Sequence, residues 1–358
     1  MKIKYKSFGG ILAGIAILII ILDAKCAAAS AKEGIDLCLR TVIPSLFPFF
    51  VLSAILNSYL LGKSNLLLRP FGRICGIPDG GESLLLLGYI TGYPVGAQLI
   101  TQAYKEKTLT ADTAQRMLGF CNNAGPAFIF GMLSPIFTDK RVPWLLWGIH
   151  IASSIIVGCL LPHIDHSICT MRRISPISLG KALHNALYNI ATVCGWVVLF
   201  RILLGYCNRW FLWRVPYTIQ VIISGALELA NGCVLLRSIP STGLKFIIAS
   251  GFLAFGGVCI GMQTRSVTQE LGTGYYFPGK ILQTMLSILF STFMQQLLFR
   301  DTDIHEEAYT TICLMIVGII LMICILHRKK VVAFGRRMLY NTHKHSTKGA
   351  TLCYFVRK

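Results

Sequence analysis

Ten apolar segments recur along the chain, and they constrain its fold more strongly than any other feature of the sequence. They lie at residues 9–29, 41–61, 84–100, 117–136, 144–161, 182–206, 219–236, 246–262, 281–298 and 311–326. A helix of about 20 apolar residues crosses a hydrocarbon core of about 30 Å. Only 14% of the 358 residues are charged, whereas an average soluble domain has about 25%. The sequence therefore predicts an all-α polytopic membrane protein without a separate soluble domain.

Two of these segments contain residues that interrupt a spanning helix. The stretch 88–100, GYITGYPVGAQLI, has three glycines and a proline, and the stretch 119–131, GFCNNAGPAFIFG, has two adjacent asparagines. Non-helical backbone at membrane depth is tolerated only where it is buried in protein or lines a watery cavity. The interruptions therefore predict a cavity inside the protein.

The two halves of the chain resemble each other at these places. Residues 84–100 align with 219–236, which puts Gly96 over Gly232, and GFCNNAG at 119–125 aligns with GFLAFGG at 251–257. Because both matches occur in the same order, we predict a duplicated unit. Each copy would contain a helix, a short re-entrant segment, a broken helix and a final helix.

The distribution of charged loops predicts the topology. The loops 63–73, 105–107 and 172–181 are basic, as are both termini, whereas residues 301–307 are acidic. Basic loops lie on the cytoplasmic side, and all of these can do so only if 84–100 is re-entrant. If 219–236 is re-entrant too, about eight helices cross the membrane. Three crossings in each copy would make the second copy an inverted repeat of the first.

This topology divides the chain into six parts with both termini in the cytoplasm. The N-terminal part has the basic start and apolar core of a signal sequence, and we interpret it as an uncleaved signal anchor; a cleaved signal is the alternative. The parts are the anchor helix 1–30, the first repeat 31–163, a cytoplasmic linker 164–179, the second repeat 180–299, a last transmembrane helix 308–327 and a basic cytoplasmic tail 328–358.

Charge and cysteine content exclude several classes of function. The net charge of +19 lies in short loops and in the tail, so it fits positive-inside topology and anionic lipid, and we expect no nucleic-acid partner. The 13 cysteines are scattered without a CxxC pair, which is typical of small core residues and not of a metal site. The sequence contains no nucleotide-binding loop and no nucleophile–base pair, so no motif indicates an enzyme.

The first re-entrant tip supplies most of the candidate solute ligands. Glycines there allow close backbone approach, the proline removes a hydrogen-bond donor, and hydroxyl and amide groups can contact a solute. A Pro-kinked helix with small residues at a helix interface is the alternative. The candidate residues of this tip are Thr91, Gly92, Tyr93, Pro94, Gly96 and Gln98.

The first broken helix supplies a second group of candidates. Asn122 and Asn123, next to Gly125, need partners or water inside an apolar run. We expect them to bind the solute, with hydrogen bonding between helices as the alternative.

Glu228, in SGALELANGC, is the sharpest single feature of the second half. An acidic residue within the membrane indicates function, so we expect Glu228 to hold a coupling proton or sodium ion, the only cofactor-like species expected. An interfacial helix that exposes Glu228 to water is the alternative. The remaining candidates of this half are Asn231, Gly232, Gly256, Gly257 and Gln263. Four further polar residues border spans and are interpreted as snorkelling to the interface: Arg116, Arg201, Lys280 and Gln283.

Three motifs, ITGYPVGAQL, FCNNAGPAFIFG and ELANG, occur in this order and resemble the YlbJ family of sporulation integral membrane proteins, within the nucleoside-recognition or Gate domain family. The resemblance covers about residues 31–326. It implies a core similar to that of concentrative nucleoside transporters, with Thr91, Tyr93, Pro94, the asparagine pair, Glu228 and Asn231 lining the site. Those transporters carry an acid in each tip, whereas the first tip here has Gly92 at that position.

The resemblance also implies the biological setting. It points to a plasma or forespore membrane of a spore-forming bacterium and to dipicolinate moving between mother cell and forespore. The expected function is transport of a small polar or anionic solute. A nucleoside or nucleobase carrier and a non-transporting scaffold of spore assembly are the alternatives. The lipid bilayer is an expected partner, and a second copy of the chain or another sporulation membrane protein is left open.

Overall fold

The computed structural model describes residues 2–60, 63, 66–162, 176–268 and 270–298, with 315–316, 318–320 and 322–323. The described chain is helical, with short 3₁₀ and π turns and no strand. The expected tail 328–358 lies outside these residues, as do most of the linker and of the last transmembrane helix.

The helices are α1 (Lys2–Leu22), α2 (Ala24–Leu37), α3 (Ile43–Leu60), α4 (Arg69–Ile74), α5 (Glu82–Thr91), α6 (Val95–Lys105), α7 (Ala111–Cys121), α8 (Pro126–Phe128), α9 (Val142–Leu160), α10 (Leu179–Trp210), α11 (Tyr217–Leu227), α12 (Leu229–Leu236), α13 (Thr242–Phe255), α14 (Gly257–Val267) and α15 (Tyr276–Leu298).

Helices long and apolar enough to cross a membrane confirm the predicted all-helical membrane class. Among the described residues there are five: Ala24–Leu60, Val142–Leu160, Leu179–Trp210, Thr242–Val267 and Tyr276–Leu298. The apolar helices Glu82–Thr91 and Tyr217–Leu227 are too short to span alone. The total of eight crossings stays a prediction.

The first long helix differs from its expected bounds. Residues 24–60 form one continuous helix of 37 residues, with a π turn at Cys38–Val42, so the expected boundary at residue 30 falls inside it. The chain turns instead at Asp23, whose carboxylate accepts a hydrogen bond from the backbone N–H of Cys26 at 3.3 Å. A carboxylate at this position caps the start of a helix. The polar residues that follow, up to Arg40, contain no proline, and Pro44 and Pro48 lie further along the same helix.

This helix packs along α10 over most of its length. Asp23 pairs with Arg209 at 2.7 Å at one end, Glu33 pairs with Arg201 further along, and the Ser58 hydroxyl accepts a hydrogen bond from the N–H of Ile177 at the other end. Residue numbers rise on one helix as they fall on its partner, so the two helices are antiparallel. Arg201 therefore forms an ion pair with a neighbouring helix.

Each predicted re-entrant segment is a helical hairpin. Residues 84–100 do not form one helix, because α5 ends at Thr91 and α6 begins at Val95. A Cβ atom on Gly96 would lie 3.0 Å from the carbonyl oxygen of Cys121, so α6 touches the backbone of α7. In the second half, α11 and α12 fold back so closely that a Cβ on Gly232 would overlap the backbone of Gly225.

Both predicted broken helices are present. In the first, α7 ends at Cys121, residues 122 and 125 have extended backbone, and α8 begins at Pro126. In the second, α13 and α14 meet at Gly256, which adopts a left-handed conformation with φ of 77°. The order of helix, hairpin, broken helix and helix thus occurs in both halves of the described chain. The inverted orientation of the second half stays a prediction.

Arg116 holds three elements together, and its interpretation as a snorkelling residue was wrong. Its side chain is 1% exposed. The guanidinium donates to the carbonyl oxygen of Cys75 at 2.6 Å and to that of Gly158 at 2.5 Å. These carbonyls follow α4 and lie in the last turn of α9, where helical backbone acceptors lack partners and favour a cation. Arg116 therefore caps two helix ends from α7.

Candidate solute site at the helix breaks

The four interruptions of regular helix meet in space. At the first tip, Gly92 has φ of 74°, and a Cβ there would lie 2.8 Å from the backbone nitrogen of Gly125 in the first broken helix. The second broken helix reaches the second tip, since a Cβ on Gly257 would lie 3.1 Å from the carbonyl oxygen of Gly225 and 3.3 Å from that of Leu227. The first tip also reaches the second broken helix, since a Cβ on Gly256 would lie 3.2 Å from the ring of Tyr93. Only glycines allow these approaches.

A cavity of about 50 Å³, the central cavity, lies where these elements meet. Its polar lining residues are Thr91, Tyr93, Glu228 and Gln263, and the rest of its wall is mainly apolar and includes Phe50 and Phe128. An apolar wall with a few polar groups is typical of a small-molecule site. Since one water needs about 10–15 Å³ by this measure, the cavity has room for about three to five waters.

Thr91 lines this cavity and carries a buried polar atom without a hydrogen-bond partner among the described residues. Its side chain is 3% exposed, and its hydroxyl has no hydrogen-bond partner among the described residues. A buried hydroxyl without a partner costs about 1–3 kcal/mol. A solute bound at the first tip would recover this cost if the movement of the tips exposed the hydroxyl. Thr91 is therefore the residue whose hydrogen bonding most directly calls for a ligand.

Glu228 lies at the second tip and caps the start of α12. It is 3% exposed, so the alternative of a water-exposed interfacial residue is wrong in this structure. One carboxylate oxygen accepts from the N–H of Ala230 at 3.1 Å, and the other accepts from the backbone and the side-chain amide of Asn231, both at 2.7 Å. These donors and the positive end of the helix dipole stabilise a negative charge. Since a carboxylate has about four acceptor positions, one remains for a cation or a solute.

The two adjacent asparagines have their hydrogen bonds inside the protein. The side-chain oxygen of Asn122 accepts from the N–H of Ala97 at 3.2 Å, and its nitrogen donates to the hydroxyl of Thr264 at 3.0 Å. Asn122 thereby joins the first broken helix to α6 and to α14 of the second half. This geometry favours the alternative of hydrogen bonding between helices, and Asn122 is not among the residues that line the central cavity.

Asn123 belongs to a buried polar cluster that the sequence did not predict. Its side-chain nitrogen donates to the hydroxyl of Ser154 at 3.1 Å, and its oxygen accepts from Lys280 and Gln283, each at 3.1 Å. Both of these α15 side chains are 0% exposed, so interpreting them as snorkelling residues was wrong. Their spacing of three places them on one face of a helix, which was the signal available in the sequence.

A second and larger cavity, the polar cavity, lies beside the central one. Its volume is about 490 Å³, and its wall includes Asn57, Gln98, Lys181 and His184. Gln98 donates to the side-chain oxygen of Asn189 at 3.0 Å, and the oxygen of Asn57 has no partner among the described residues. Phe50 lines both cavities and is therefore the side chain between them.

The predicted site residues fall into three groups. Those that line the central cavity are Thr91, Gly92, Tyr93, Gly125, Glu228 and Gln263. Those that shape the breaks or hold the lining in place are Pro94, Gly96, Asn122, Asn123, Asn231, Gly232, Gly256 and Gly257. Gln98 lines the polar cavity. Among the described residues, no group of three or more metal-ligating side chains is present.

Comparison with known proteins supports the resemblance drawn from the three motifs. The chain is similar to the sporulation integral membrane protein YlbJ of Bacillus subtilis (strain 168). The two sequences are 25% identical over 322 residues, which cover 76% of this chain and 78% of the relative. This similarity supports a YlbJ-like family assignment and, with the apolar helices, identifies an integral membrane protein.

The other two comparisons give no match. No family model matches the chain, so its relation to the nucleoside-recognition or Gate domains stays a prediction from the motifs. No solved structure matches it either.

Proposed function

We propose that the chain is a membrane transporter of a small polar or anionic solute that acts during sporulation, with the central cavity as its solute site. The observation that carries the proposal is the meeting of four helix interruptions around that cavity. Interrupted helices at a shared midplane site are typical of transporters built from inverted repeats. The name of the relative supports the setting in sporulation.

The wall of the central cavity favours a flat aromatic solute. Phe50 and Phe128 line the cavity, and aromatic side chains can pack against a ring. The hydroxyl of Thr91 and the amide of Gln263 can bind polar substituents of that ring. Dipicolinate, a pyridine dicarboxylate, fits this description and the sporulation setting, so it is our first choice of solute. A nucleoside or nucleobase also fits, because its base is flat and carries both donors and acceptors.

Solute entry requires the tips to separate. Pockets for small ligands measure about 300–1,000 Å³, whereas the central cavity measures about 50 Å³. The polar cavity is already about 490 Å³ and reaches the central cavity at Phe50. We therefore propose that the solute collects in the polar cavity and passes Phe50 as the hairpins move.

Glu228 is the proposed coupling residue. Its carboxylate lines the central cavity and retains one free acceptor position, which a proton can use. A negative charge beside an anionic solute is unfavourable, so protonation of Glu228 would favour binding of dipicolinate. The chain would lie in the plasma membrane or the forespore membrane, with both termini in the cytoplasm.

Equilibrium binding of labelled dipicolinate to the purified protein tests the proposal. We expect saturable binding that Thr91→Val weakens by about tenfold, the effect of losing a buried hydrogen bond of about 1.4 kcal/mol. Competition by unlabelled uridine would favour the nucleoside alternative. If neither solute binds to correctly folded protein, the proposed solute site is wrong.

Removal of the tail after Leu326 separates the transporter from the scaffold. A transporter keeps its solute binding and flux without the tail, while Glu228→Gln abolishes flux. A scaffold shows the reverse in sporulating cells: the truncated chain fails and Glu228→Gln functions normally.

A further inference from the structure

A lysine side chain lies at the first broken helix, and unwound backbone of this kind coordinates coupling ions in many transporters. Lys280 is 0% exposed. Its ammonium nitrogen lies 3.1 Å from the side-chain oxygen of Asn123, 2.8 Å from that of Gln283 and 5.3 Å from the centre of the Tyr93 ring. Two amide oxygens and an aromatic face thus surround the positive charge.

The Lys280 ammonium group contacts uncharged oxygens and an aromatic ring, and it does not contact a carboxylate in the described part of the chain. No Asp or Glu of the described residues forms a salt bridge with Lys280, although the described chain contains six such bridges elsewhere. A buried lysine normally pairs with an acid. Here its three protons face uncharged oxygens and a ring, which satisfies an ammonium group by hydrogen bonds and a cation–π contact.

The neighbouring groups hold these oxygens in position. The side-chain nitrogen of Asn123 donates to the carbonyl oxygen of Phe120 at 2.6 Å, which turns its oxygen toward Lys280. The amide nitrogen of Gln283 lies 3.4 Å from His150, whose other ring nitrogen accepts from the N–H of Ala124 at 3.1 Å. The backbone of the first broken helix therefore holds the oxygen of Asn123 in place. His150 of α9 lies beside the amide of Gln283 on α15.

The residues at this break do not fit a bound sodium ion. Backbone and amide oxygens at interrupted helices are the usual ligands of coupling sodium. At the first break, however, Asn123 already accepts from the Lys280 ammonium and from Gln283, and a second cation beside Lys280 would be repelled. A sodium ion at this break would therefore meet a positive charge that the chain itself supplies, whereas the coupling ion expected at Glu228 belongs to the second tip.

We propose that Lys280 is a built-in cation that takes the place of a coupling metal ion at the first broken helix, so that transport, with Glu228 coupled to a proton, does not require sodium. This inference rests on the proposed transport function. It assigns Lys280 as a positioning residue, because it acts on the first tip through Tyr93 and on the break through Asn123.

Exchange of sodium for choline, measured as flux and as thermal unfolding, tests the inference. Proteoliposomes with the wild-type protein should transport labelled solute at the same rate in either salt, and the unfolding temperature should be the same. Lys280→Met should reduce flux in both salts, and Lys280→Arg should restore part of it. Lys32→Ala, which removes an exposed lysine of α2, is the matched control and should behave as wild type.

Lys280→Ala gives the readout that a purely structural lysine would not give. Removal of the side chain leaves the oxygens of Asn123 and Gln283 without their cation, so sodium should raise the unfolding temperature of this variant above its value in choline. A sodium requirement in the wild type, wild-type flux in Lys280→Met, or no sodium response in folded Lys280→Ala would overturn the inference. Absence of flux in the wild type would count against the transport proposal alone, and the unfolding measurements would still decide the role of Lys280.

Discussion

Tyr93 in the first tip donates a hydrogen bond from its hydroxyl to the carbonyl oxygen of Leu253 in the second broken helix, at 3.0 Å. The two residues are 160 positions apart and belong to different halves of the chain. Leu253 lies in the last turn of α13, where backbone carbonyls lack a helical partner. The first tip therefore provides a hydrogen-bond donor for the end of α13 in the other half. Movement of the first tip should displace the end of α13.

Tyr93→Phe should loosen this link between the halves. The substitution keeps the ring but leaves the carbonyl of Leu253 unpaired, which should lower the free energy of unfolding by about 1–3 kcal/mol. Thermal unfolding in detergent measures the loss. Tyr59→Phe, at an exposed tyrosine of α3, is the control and should have little effect. Equal stability of the Tyr93→Phe protein would mean that the hydrogen bond does not couple the halves.

Glu228→Gln and Glu228→Ala should separate the charge of this residue from its capping role. Glutamine keeps one acceptor for the α12 donors and should cost about 1 kcal/mol in stability. Alanine removes the cap, which costs about 0.5–2 kcal/mol, and also leaves a gap in the cavity wall. Both substitutions should stop transport, so the two variants should differ in stability but not in flux. Normal flux in a folded Glu228→Gln protein would exclude Glu228 as the coupling residue.

Gly92→Ala should destabilise the first tip. The φ of 74° and ψ of −175° at Gly92 lie in a region used almost only by glycine, and a new Cβ would meet Gly125. We expect a cost of about 1–3 kcal/mol from the backbone conformation alone. Gly148→Ala in α9, where nothing lies within 4 Å of the new Cβ, should instead stabilise the helix by about 0.5–1 kcal/mol. Comparison of the two unfolding temperatures checks both signs.

Phe50→Ala should open a path between the two cavities. Phe50 is 3% exposed and lines both of them, so its removal should raise the access of water-soluble reagents to a cysteine placed at Thr91. The stability cost should be near the lower end of the 3–5 kcal/mol that is usual for Phe→Ala, because a cavity already adjoins the ring. Phe49→Ala, at an exposed neighbour, is the control. Unchanged access to position 91 would show that Phe50 is not the barrier.

The local sequence predicted the breaks better than the contacts around them. Pro94, Gly92 and Gly256 restrict or free the backbone at single positions, so the ends of α5 and α13 could be predicted from these residues. The continuous helix across residue 30 was missed, because its polar residues resemble a loop until they are packed along α10.

The polar cluster could not be derived from local patterns. Lys280 lies near the start of α15, where a lysine usually reaches the membrane surface. Its burial depends on Asn123, 157 residues earlier. Conversely, the apolar run around Asn122 predicts a role in solute binding, whereas its amide forms hydrogen bonds with Ala97 and Thr264. Partners so distant in sequence are determined by the packing of helices.

Flux of labelled dipicolinate into proteoliposomes, with wild type beside Glu228→Gln and uridine as competitor, tests the central claim most directly. The account predicts saturable flux in the wild type that the substitution abolishes while the variant remains folded and inserted. Wild-type protein that is folded and inserted, yet moves neither compound, would contradict the claim that the central cavity is a transport site.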